Sequence, residues 1–218
     1  LRTNIYFSML DARNNVLMIT GAAPEAGKSF ISANLATVMA QSGKRVLLID
    51  TDMRKGYLDQ LFKLTPEYGL ADILSGHVSP AKAVCETQIE NLHLISNGGY
   101  PKNPSELLMD SRFTELLTHA QKRYDYVIID TPPVLAVTDA TIVGQLAGTV
   151  LLVSRYGNTT TRELEISADR LRQNKINIKG VILNGMKREA NSMYDYYAYH
   201  SPQDGKKPVK KETPENKA

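Results

Sequence analysis

A glycine-rich run that ends in a lysine and a serine is the part of the sequence best suited to chemistry. The run GAAPEAGKS at residues 21–29 lies between an apolar run at residues 16–20 and a helical pattern that starts at Phe30. A loop in this position turns backbone N–H groups towards phosphate oxygens, and the helix adds its positive N-terminal end. Lys28 would lie against the β- and γ-phosphates, and Ser29 would offer its hydroxyl to Mg²⁺. The run therefore predicts a site for a nucleoside triphosphate.

This loop departs from the usual pattern Gly-x-x-x-x-Gly-Lys-Ser at one position. Ala22 stands where the first glycine is expected. Alanine adopts a positive φ only at a cost, so either the loop differs slightly there or the constraint is mild. Asn184 follows the last apolar run, where it either reaches a purine edge or forms an Asn-Gly turn. The predicted nucleotide-binding residues are Ala22, Ala23, Pro24, Glu25, Ala26, Gly27, Lys28, Ser29, Phe30 and Asn184.

Carboxylates stand where two apolar, strand-like runs end. Asp50 and Asp52 close one run, and Asp130 closes another. Because the carboxyl ends of parallel strands meet at one edge of a sheet, we expect them beside Lys28 and Ser29. Phosphoryl transfer needs cations on the phosphates, carboxylates to hold Mg²⁺ and a carboxylate to orient the nucleophile. We assign the metal to Ser29, Asp52 and Asp130, and catalysis to Lys28, Asp50 and Asp52, with Asp50 orienting the acceptor hydroxyl.

Strand and helix patterns alternate up to about residue 184. Strands are predicted at residues 16–20, 46–50, 127–130, 150–153 and 181–183, with a weaker one at 92–96. Helices are predicted at residues 28–42, 104–121, 138–147 and 160–174. Nearly continuous apolar strands are typical of a parallel sheet that is covered on both faces. The sequence thus predicts a P-loop NTPase-like α/β fold with a doubly wound, mainly parallel sheet and helices on both faces.

Length, charge and cysteine content narrow the class of protein. The 218 residues fit one α/β domain, which we place at residues 1–185. The net charge of +3 is too small to indicate a nucleic-acid partner. A single cysteine, Cys85, rules out an intramolecular disulfide framework. The sequence predicts no signal peptide and no apolar run that could cross a bilayer. Because it opens at Leu1 without a methionine, we expect it to be a fragment of a longer protein.

The C-terminal segment at residues 186–218 differs from the rest of the chain. It is polar, rich in tyrosine and lysine, and lacks apolar periodicity, so a flexible tail is predicted. Its lysine-rich end is either a solubilising tail or an interaction element. Four tyrosines stand close together in it, at Tyr194, Tyr196, Tyr197 and Tyr199. They favour a phosphoacceptor cluster, in which each phosphate would add about 1.5–2 negative charges. A nucleic-acid stacking platform is the alternative, and the acidic neighbours Asp195 and Asp204 count against it.

These motifs together resemble the bacterial tyrosine kinases, and more narrowly the cytoplasmic kinase domain of a Wzc-type polysaccharide co-polymerase. The resemblance rests on the loop, the run LLIDTDMRKGY at residues 47–57, the run IIDTPP at residues 128–133 and the tail tyrosines. In this family residues 22–29 correspond to the Walker A motif, 47–54 to Walker A′ and 127–130 to Walker B. The resemblance implies ATP- and Mg²⁺-dependent autophosphorylation on tyrosine. Tyr57 would be an internal acceptor, and the tail cluster would be phosphorylated in trans.

The same resemblance implies partners and a cellular role. Copies of the chain would form a ring in which one tail enters the next site, and Arg2 would be the last basic residue of an oligomerisation motif. A low-molecular-weight tyrosine phosphatase would reverse the modification. An upstream, membrane-anchored part of the same protein would hold the domain at the cytoplasmic face of the bacterial inner membrane. Cycles of phosphorylation would regulate polymerisation and export of capsule or other exopolysaccharide.

Two other functions are compatible with a phosphate loop. A ParA/MinD-like positioning ATPase carries an additional lysine near the start of its loop, whereas residues 22–26 read AAPEA. A nucleotide-gated binding module with inert chemistry would not need Asp50, Asp52 and Asp130 together. The cations Arg54 and Lys55 either close over phosphate or are solvated charges of a loop. Tyrosine autokinase activity accounts for more of these features than either alternative.

Overall fold

The computed structural model of the chain describes residues 1–186. The tyrosine cluster at residues 194–199 and the lysine-rich end fall outside the described residues. Their predicted flexibility and their role as phosphoacceptors therefore stay predictions.

The described residues form seven strands and nine helices. The strands are β1 Val16–Gly21, β2 Val46–Asp50, β3 Cys85–Glu86, β4 Leu92–Ile95, β5 Tyr126–Asp130, β6 Thr149–Arg155 and β7 Ile178–Asn184. The helices are α1 Arg2–Leu10, α2 Lys28–Gln41, α3 Leu58–Leu61, α4 Leu70–Leu74, α5 Pro80–Ala83, α6 Pro104–Met109, α7 Ser111–Arg123, α8 Asp139–Leu146 and α9 Thr161–Gln173. None of these described helices has the length and apolarity that a membrane span requires.

All seven strands belong to one sheet in the order β3-β4-β2-β5-β1-β6-β7. Only β3 is antiparallel to its neighbour, so the predicted mainly parallel sheet is confirmed. Strand β5 lies between β2 and β1, and Asp50 is in register with Asp130. Because these strands run in the same direction, the residues that end them share one edge of the sheet. The chain direction thus brings the phosphate loop and the acidic runs together.

Hydrophobic packing covers both faces of the sheet, as predicted. Leu17 and Ile19 pack on the face covered by α1, α2 and α3, while Val16 and Met18 pack on the face covered by α4–α9. This alternation follows from the two-residue period of a strand, which sends successive side chains to opposite faces. A strand buried on both sides gives the continuous apolar run seen in the sequence.

Several elements differ from their predicted bounds. The helix predicted at residues 104–121 is two helices, because Asp110 is extended and its side chain accepts a hydrogen bond from the Arg112 N–H at 2.9 Å, which starts α7. Helix α1 was not predicted, and its buried residue is Ile5. Helices α3, α4 and α5 and strand β3 are too short to show periodicity. Strand β7 begins earlier than predicted, where Lys179 and Gly180 interrupt the apolar run.

Candidate functional site

The phosphate loop connects β1 to α2 through two residues with left-handed backbone. Glu25 has a φ of 62° and Gly27 a φ of 91°, whereas Ala22 is not among the described residues with positive φ. Of the two expectations for Ala22, the backbone therefore fits a mild conformational constraint at this position. Helix α2 begins at Lys28, and the N–H groups of its first turn have no intrahelical acceptor. The loop and the helix end thus form an anion-binding concavity.

Glycine suits position 27 because its φ is 91° and because Asn184 packs against the loop there. A Cβ atom on Gly27 would lie 2.2 Å from Asn184 Nδ2. That amide nitrogen donates a hydrogen bond to the Ala26 carbonyl at 3.1 Å, and Asn184 Oδ1 accepts one from the Gly185 N–H at 2.9 Å. Asn184 lies beside the loop, as its predicted role requires. In this structure its amide supports the loop backbone, and a contact with a purine stays a prediction.

Asp130 is bound to helix α2 through two serine hydroxyls. Ser29 Oγ donates to one carboxylate oxygen at 2.5 Å, and Ser32 Oγ donates to the other at 2.8 Å. Burial raises the pKa of Asp130 to about 6, although these hydroxyls and the Lys28 ammonium favour its ionised form. Ser32 was not among the predicted residues, although its spacing of three from Ser29 places both on one face of a helix.

Asp50 is also buried, but its own chain segment encloses it. Its two carboxylate oxygens accept hydrogen bonds from the backbone N–H groups of Asp52 at 3.0 Å and Leu58 at 3.2 Å. A Cβ atom on Gly56 would lie 2.5 Å from Asp50 Oδ2. Burial, and next the nearby charge of Asp130, raise the pKa of Asp50 well above its ordinary value. We call residues 52–58, which fold over this carboxylate, the 52–58 turn.

A cavity of about 560 Å³ joins the phosphate loop to the 52–58 turn. We call it the loop cavity. Its lining residues are Pro24, Glu25, Gly27, Lys28, Ser29, Asp52, Arg54, Lys55, Tyr57, Pro132, Pro133, Ala136, Val137 and Arg155. Asp52 reaches this cavity, and its Oδ1 accepts hydrogen bonds from the Arg54 N–H at 3.2 Å and the Lys55 N–H at 2.9 Å. The cavity combines a phosphate cradle, a carboxylate and a tyrosine within one space.

Both arginines that line the loop cavity are held by contacts that the sequence did not indicate. Arg54 Nε lies 3.3 Å from Asp139 Oδ2, and Asp139 is fully buried. Ser105 Oγ donates to the other oxygen of Asp139. Arg155 donates a hydrogen bond to the Glu25 carbonyl at 3.0 Å. Arg155 ends β6 at the same edge of the sheet as the carboxylates. Its position at a strand end could have identified it as a site residue from the sequence.

Other predicted site residues lie around this cavity or away from it. Ala22 and Ala26 are buried behind the loop. Phe30 lines a separate cavity with Leu61 and Phe62. Arg2 is at the start of α1. Nothing in the described residues tests a role for Phe30 in nucleotide binding or for Arg2 in oligomerisation.

The residues at the cavity fit a magnesium ion that is held mainly by phosphate and water. In the described part of the chain, no three His, Cys, Asp or Glu side chains are grouped closely enough to bind a metal by themselves. Mg²⁺ at phosphate sites commonly takes one or two protein oxygens and keeps several waters. The Ser29 hydroxyl, fixed by the buried Asp130, and the Asp52 carboxylate at the cavity wall are oxygen donors of this kind.

Comparisons with known proteins agree with this geometry. The AAA domain family matches residues 17–195. The tyrosine-protein kinase wzc of Salmonella typhimurium is 53% identical over 208 residues, which are 94% of this chain and 29% of that protein. The chain therefore spans under a third of that relative's length.

Solved structures give the same assignment at domain level. The kinase domain of the Escherichia coli tyrosine kinase ETK is 47% identical, with a TM-score of 0.84, and the match covers 88% of this chain and 76% of that one. The cell division ATPase MinD of Pyrococcus furiosus is 22% identical, with a TM-score of 0.67, and the match covers 78% of this chain and 71% of that one. The second match shows the shared fold alone. The chain belongs to the AAA domain family and, within it, to the Wzc- and Etk-type bacterial tyrosine kinases, whose P-loop kinase domain it forms.

Proposed function

We propose that this chain transfers the γ-phosphoryl group of ATP to tyrosine, first of all to tyrosines of other copies of itself. The observation that carries the proposal is the loop cavity, in which Lys28 and Ser29 face a carboxylate, Asp52, and a phenol, Tyr57. A purely hydrolytic ATPase needs the first three groups but has no need of the fourth. The motifs shared with the tyrosine kinases support the same reaction.

Each residue has a role that follows from its position. Lys28 and the N–H groups of the loop bind the phosphates, and Ser29, Asp130 and Asp52 hold Mg²⁺. When bound, Mg²⁺ would neutralise charge that develops on the phosphates. The buried carboxylate of Asp130 keeps the Ser29 hydroxyl oriented towards the cavity. Positioning of this kind is most of what a loose phosphoryl-transfer transition state demands.

Asp50 and Asp52, at the end of β2, would act on the acceptor at different stages. Asp50 is our candidate for the acceptor-orienting base, and it lies beneath the 52–58 turn. Asp52 already lines the loop cavity. We infer that Asp52 meets the acceptor first, and that Asp50 contacts the hydroxyl only when the 52–58 turn moves. In Asp50→Asn we expect ATP binding to be largely kept and transfer to be lost; unchanged transfer would remove Asp50 from this role.

The acceptors and partners extend this proposal to the whole protein. The tail tyrosines Tyr194, Tyr196, Tyr197 and Tyr199 would be phosphorylated in trans, with Tyr57 as an internal acceptor. Self-association through α1, including Arg2, would bring one tail to the next site. A membrane-anchored upstream part and a low-molecular-weight phosphatase would complete a cycle that regulates exopolysaccharide export. The support is the similarity to a wzc kinase more than three times the length of this chain.

The decisive experiment maps phosphotyrosine after incubation with labelled ATP and Mg²⁺. We expect mass spectrometry to find phosphotyrosine in the wild-type chain and none in Lys28→Met. Lys44→Met is the matched control, because Lys44 is an exposed lysine outside the loop cavity. Omission of Mg²⁺ tests the metal in the same assay.

Two results would reject the proposal. One is ATP hydrolysis without phosphotyrosine in the wild-type chain, which would favour a ParA/MinD-like ATPase. The other is phosphotyrosine that survives in Lys28→Met at the wild-type level.

A further inference from the structure

The loop cavity is lined by four cationic side chains, and only one of them belongs to the phosphate loop. Its cationic side chains are Lys28, Arg54, Lys55 and Arg155. Its anionic side chains are Glu25 and Asp52. Lys28 belongs to the phosphate loop, whereas the other three cations lie on the 52–58 turn and at the end of β6. We call these three cations, Arg54, Lys55 and Arg155, the cationic rim.

Both arginines of the cationic rim are held in place and still have donors to offer. The Arg54 Nε lies 3.3 Å from Asp139, and Arg155 gives one N–H to the Glu25 carbonyl. A guanidinium has five N–H donors, so these contacts leave several for a ligand. Because the side chains are already oriented, an anion that binds them loses less conformational entropy.

Lys55 places the third cation next to a phenol. It is two residues from Tyr57, and both side chains line the loop cavity. The Lys55 side chain is exposed and forms no salt bridge within residues 1–186. Tyr57 is 40% exposed, so its phenol is open to the loop cavity that it lines. An acceptor tyrosine at this wall would have the cationic rim beside its neighbouring residues.

We propose, on the basis of the function proposed above, that the cationic rim selects acceptor tyrosines with an acidic residue beside them. The chain offers such an acceptor, because Asp195 lies between Tyr194 and Tyr196. A carboxylate next to the acceptor would pair with the rim cations and offset their mutual repulsion. The substrate class is therefore an acidic tyrosine peptide, and the tail of a second copy is one member of it.

The test compares peptides that differ only at position 195. The first peptide has the sequence of residues 191–200 with Tyr194→Phe, Tyr197→Phe and Tyr199→Phe, so that Tyr196 is its acceptor. The second peptide also carries Asp195→Asn, and the third carries Asp195→Glu. With the full wild-type chain as enzyme, we expect Asp195→Asn to raise KM about two- to fivefold at equal kcat. Asp195→Glu should restore the low KM, and added salt should reduce the difference.

Enzyme variants assign the preference to the rim. In the combined Lys55→Gln and Arg155→Gln chain, we expect the KM ratio of the Asn and Asp peptides to fall towards one, with Arg54 accounting for the remainder. Lys122→Gln removes an exposed lysine of α7, outside the loop cavity, and should keep the wild-type ratio. Arg155 also contacts the Glu25 carbonyl of the phosphate loop. Calorimetric titration with MgATP therefore shows whether Arg155→Gln also changes nucleotide binding.

Different results would overturn the inference and the function on which it rests. Equal KM values for the Asp and Asn peptides with the wild-type enzyme would refute acidic selection while leaving tyrosine kinase activity in place. A wild-type KM ratio that persists in the doubly substituted chain would refute the rim as its source. If the enzyme binds MgATP yet phosphorylates neither its own tyrosines nor any peptide, the proposed function and this inference both fail.

Discussion

The ends of β2 and β5 present two buried carboxylates in contrasting surroundings. Asp50 and Asp130 are in register on adjacent strands, and each is only 1% exposed. Asp130 accepts its hydrogen bonds from side chains of another element, the hydroxyls of Ser29 and Ser32 on α2. Asp50 accepts its hydrogen bonds from the backbone of the segment that follows it. The same residue type at the same edge is thus connected to two different parts of the site.

This difference separates the nucleotide side of the loop cavity from its acceptor side. A change at Asp130 alters the Ser29 hydroxyl, and through it the metal and the phosphates. A change at Asp50 alters the 52–58 turn, which carries Asp52, Arg54, Lys55 and Tyr57 into the cavity. The comparison predicts that variants on the β5 side affect the metal through Ser29, whereas variants on the β2 side affect the acceptor, and affect the metal only where they displace Asp52.

The largest effect is expected for Asp130→Asn. The substitution removes the charge that fixes the Ser29 hydroxyl and supports Mg²⁺, and losses at such supporting positions are about 10–100-fold or more. We expect autophosphorylation to fall by at least that factor and the Mg²⁺ concentration for half-maximal rate to rise. Initial rates of phosphotyrosine formation at varied Mg²⁺ measure both. A variant that loses rate with an unchanged Mg²⁺ dependence would break the assignment of Asp130 to the nucleotide side.

A similarly sharp test of the other side is Gly56→Ala. Its added Cβ would lie within 2.7 Å of both carboxylate oxygens of Asp50, so the 52–58 turn must shift. A misplacement of about 1 Å in a catalytic group can cost about 100-fold. We expect transfer to fall about 10- to 100-fold while the affinity for ATP without Mg²⁺ stays within about twofold, because the phosphate loop is untouched.

Gly180→Ala is the matched control for this substitution. A Cβ on Gly180 meets Leu151 at 3.4 Å, which is an ordinary contact, so rates should match the wild type. Calorimetric ATP titration and phosphotyrosine assays supply the two readouts. Equal losses of ATP affinity and transfer in Gly56→Ala would show that the two sides are not separable.

The sequence predicted the shared edge of the sheet because the signals for it are local. Each functional strand is an apolar run that ends in Asp50 or Asp130, or enters the glycine-rich loop. Parallel strands then bring these ends together without further information. The same reasoning placed Lys28 and Ser29 at the start of a helix, where the structure has them.

The contacts that hold the arginines of the loop cavity, and the enclosure of Asp50, could not be predicted from the sequence. Arg54 and Asp139 are 85 residues apart, and Arg155 and Glu25 are 130 apart. Their pairing depends on where the intervening helices lie in space. The enclosure of Asp50 depends on the path of the 52–58 turn, which has no periodic pattern to reveal it. Local motifs therefore identify the chemistry, and tertiary contacts assign each residue its side of the cavity.

The pH dependence of folding stability tests the burial of Asp130 without an activity assay. Burial raises the pKa of Asp130 from its ordinary 3.8 to about 6, so the folded chain binds this proton more tightly than the unfolded chain. The stabilisation from that proton is present at low pH and is lost as pH rises through about 6. For the nucleotide-free chain, we expect the free energy of unfolding in urea to lose about 1–2 kcal/mol from this group between about pH 5 and 7.5.

Asp130→Asn is the control for this titration, because it removes the proton in question and keeps a polar side chain near Ser29 and Ser32. The loss between the two pH values should be smaller in this variant by about the same 1–2 kcal/mol. An identical pH dependence in both chains would show that the Asp130 carboxylate does not titrate in this range. Asp50, whose pKa is also raised by burial, would then be the carboxylate to replace next.

The smallest expected effect sharpens the acceptor side, through the pair Arg54 and Asp139. Asp139 is fully buried, and Arg54 is 40% exposed, so Asp139→Asn frees a guanidinium that solvent can still reach. We expect KM for an acidic tyrosine peptide to rise about two- to fivefold, because Arg54 is no longer held at the cationic rim.

MgATP affinity should not change, since neither residue contacts the phosphate loop in the described structure. Asp169→Asn, which breaks the exposed pair with Arg172 on α9, should leave both constants at the wild-type values. If the dissociation constant of MgATP rises and the peptide KM does not, Arg54 acts in nucleotide binding. The end of β2 would then serve the nucleotide as well as the acceptor.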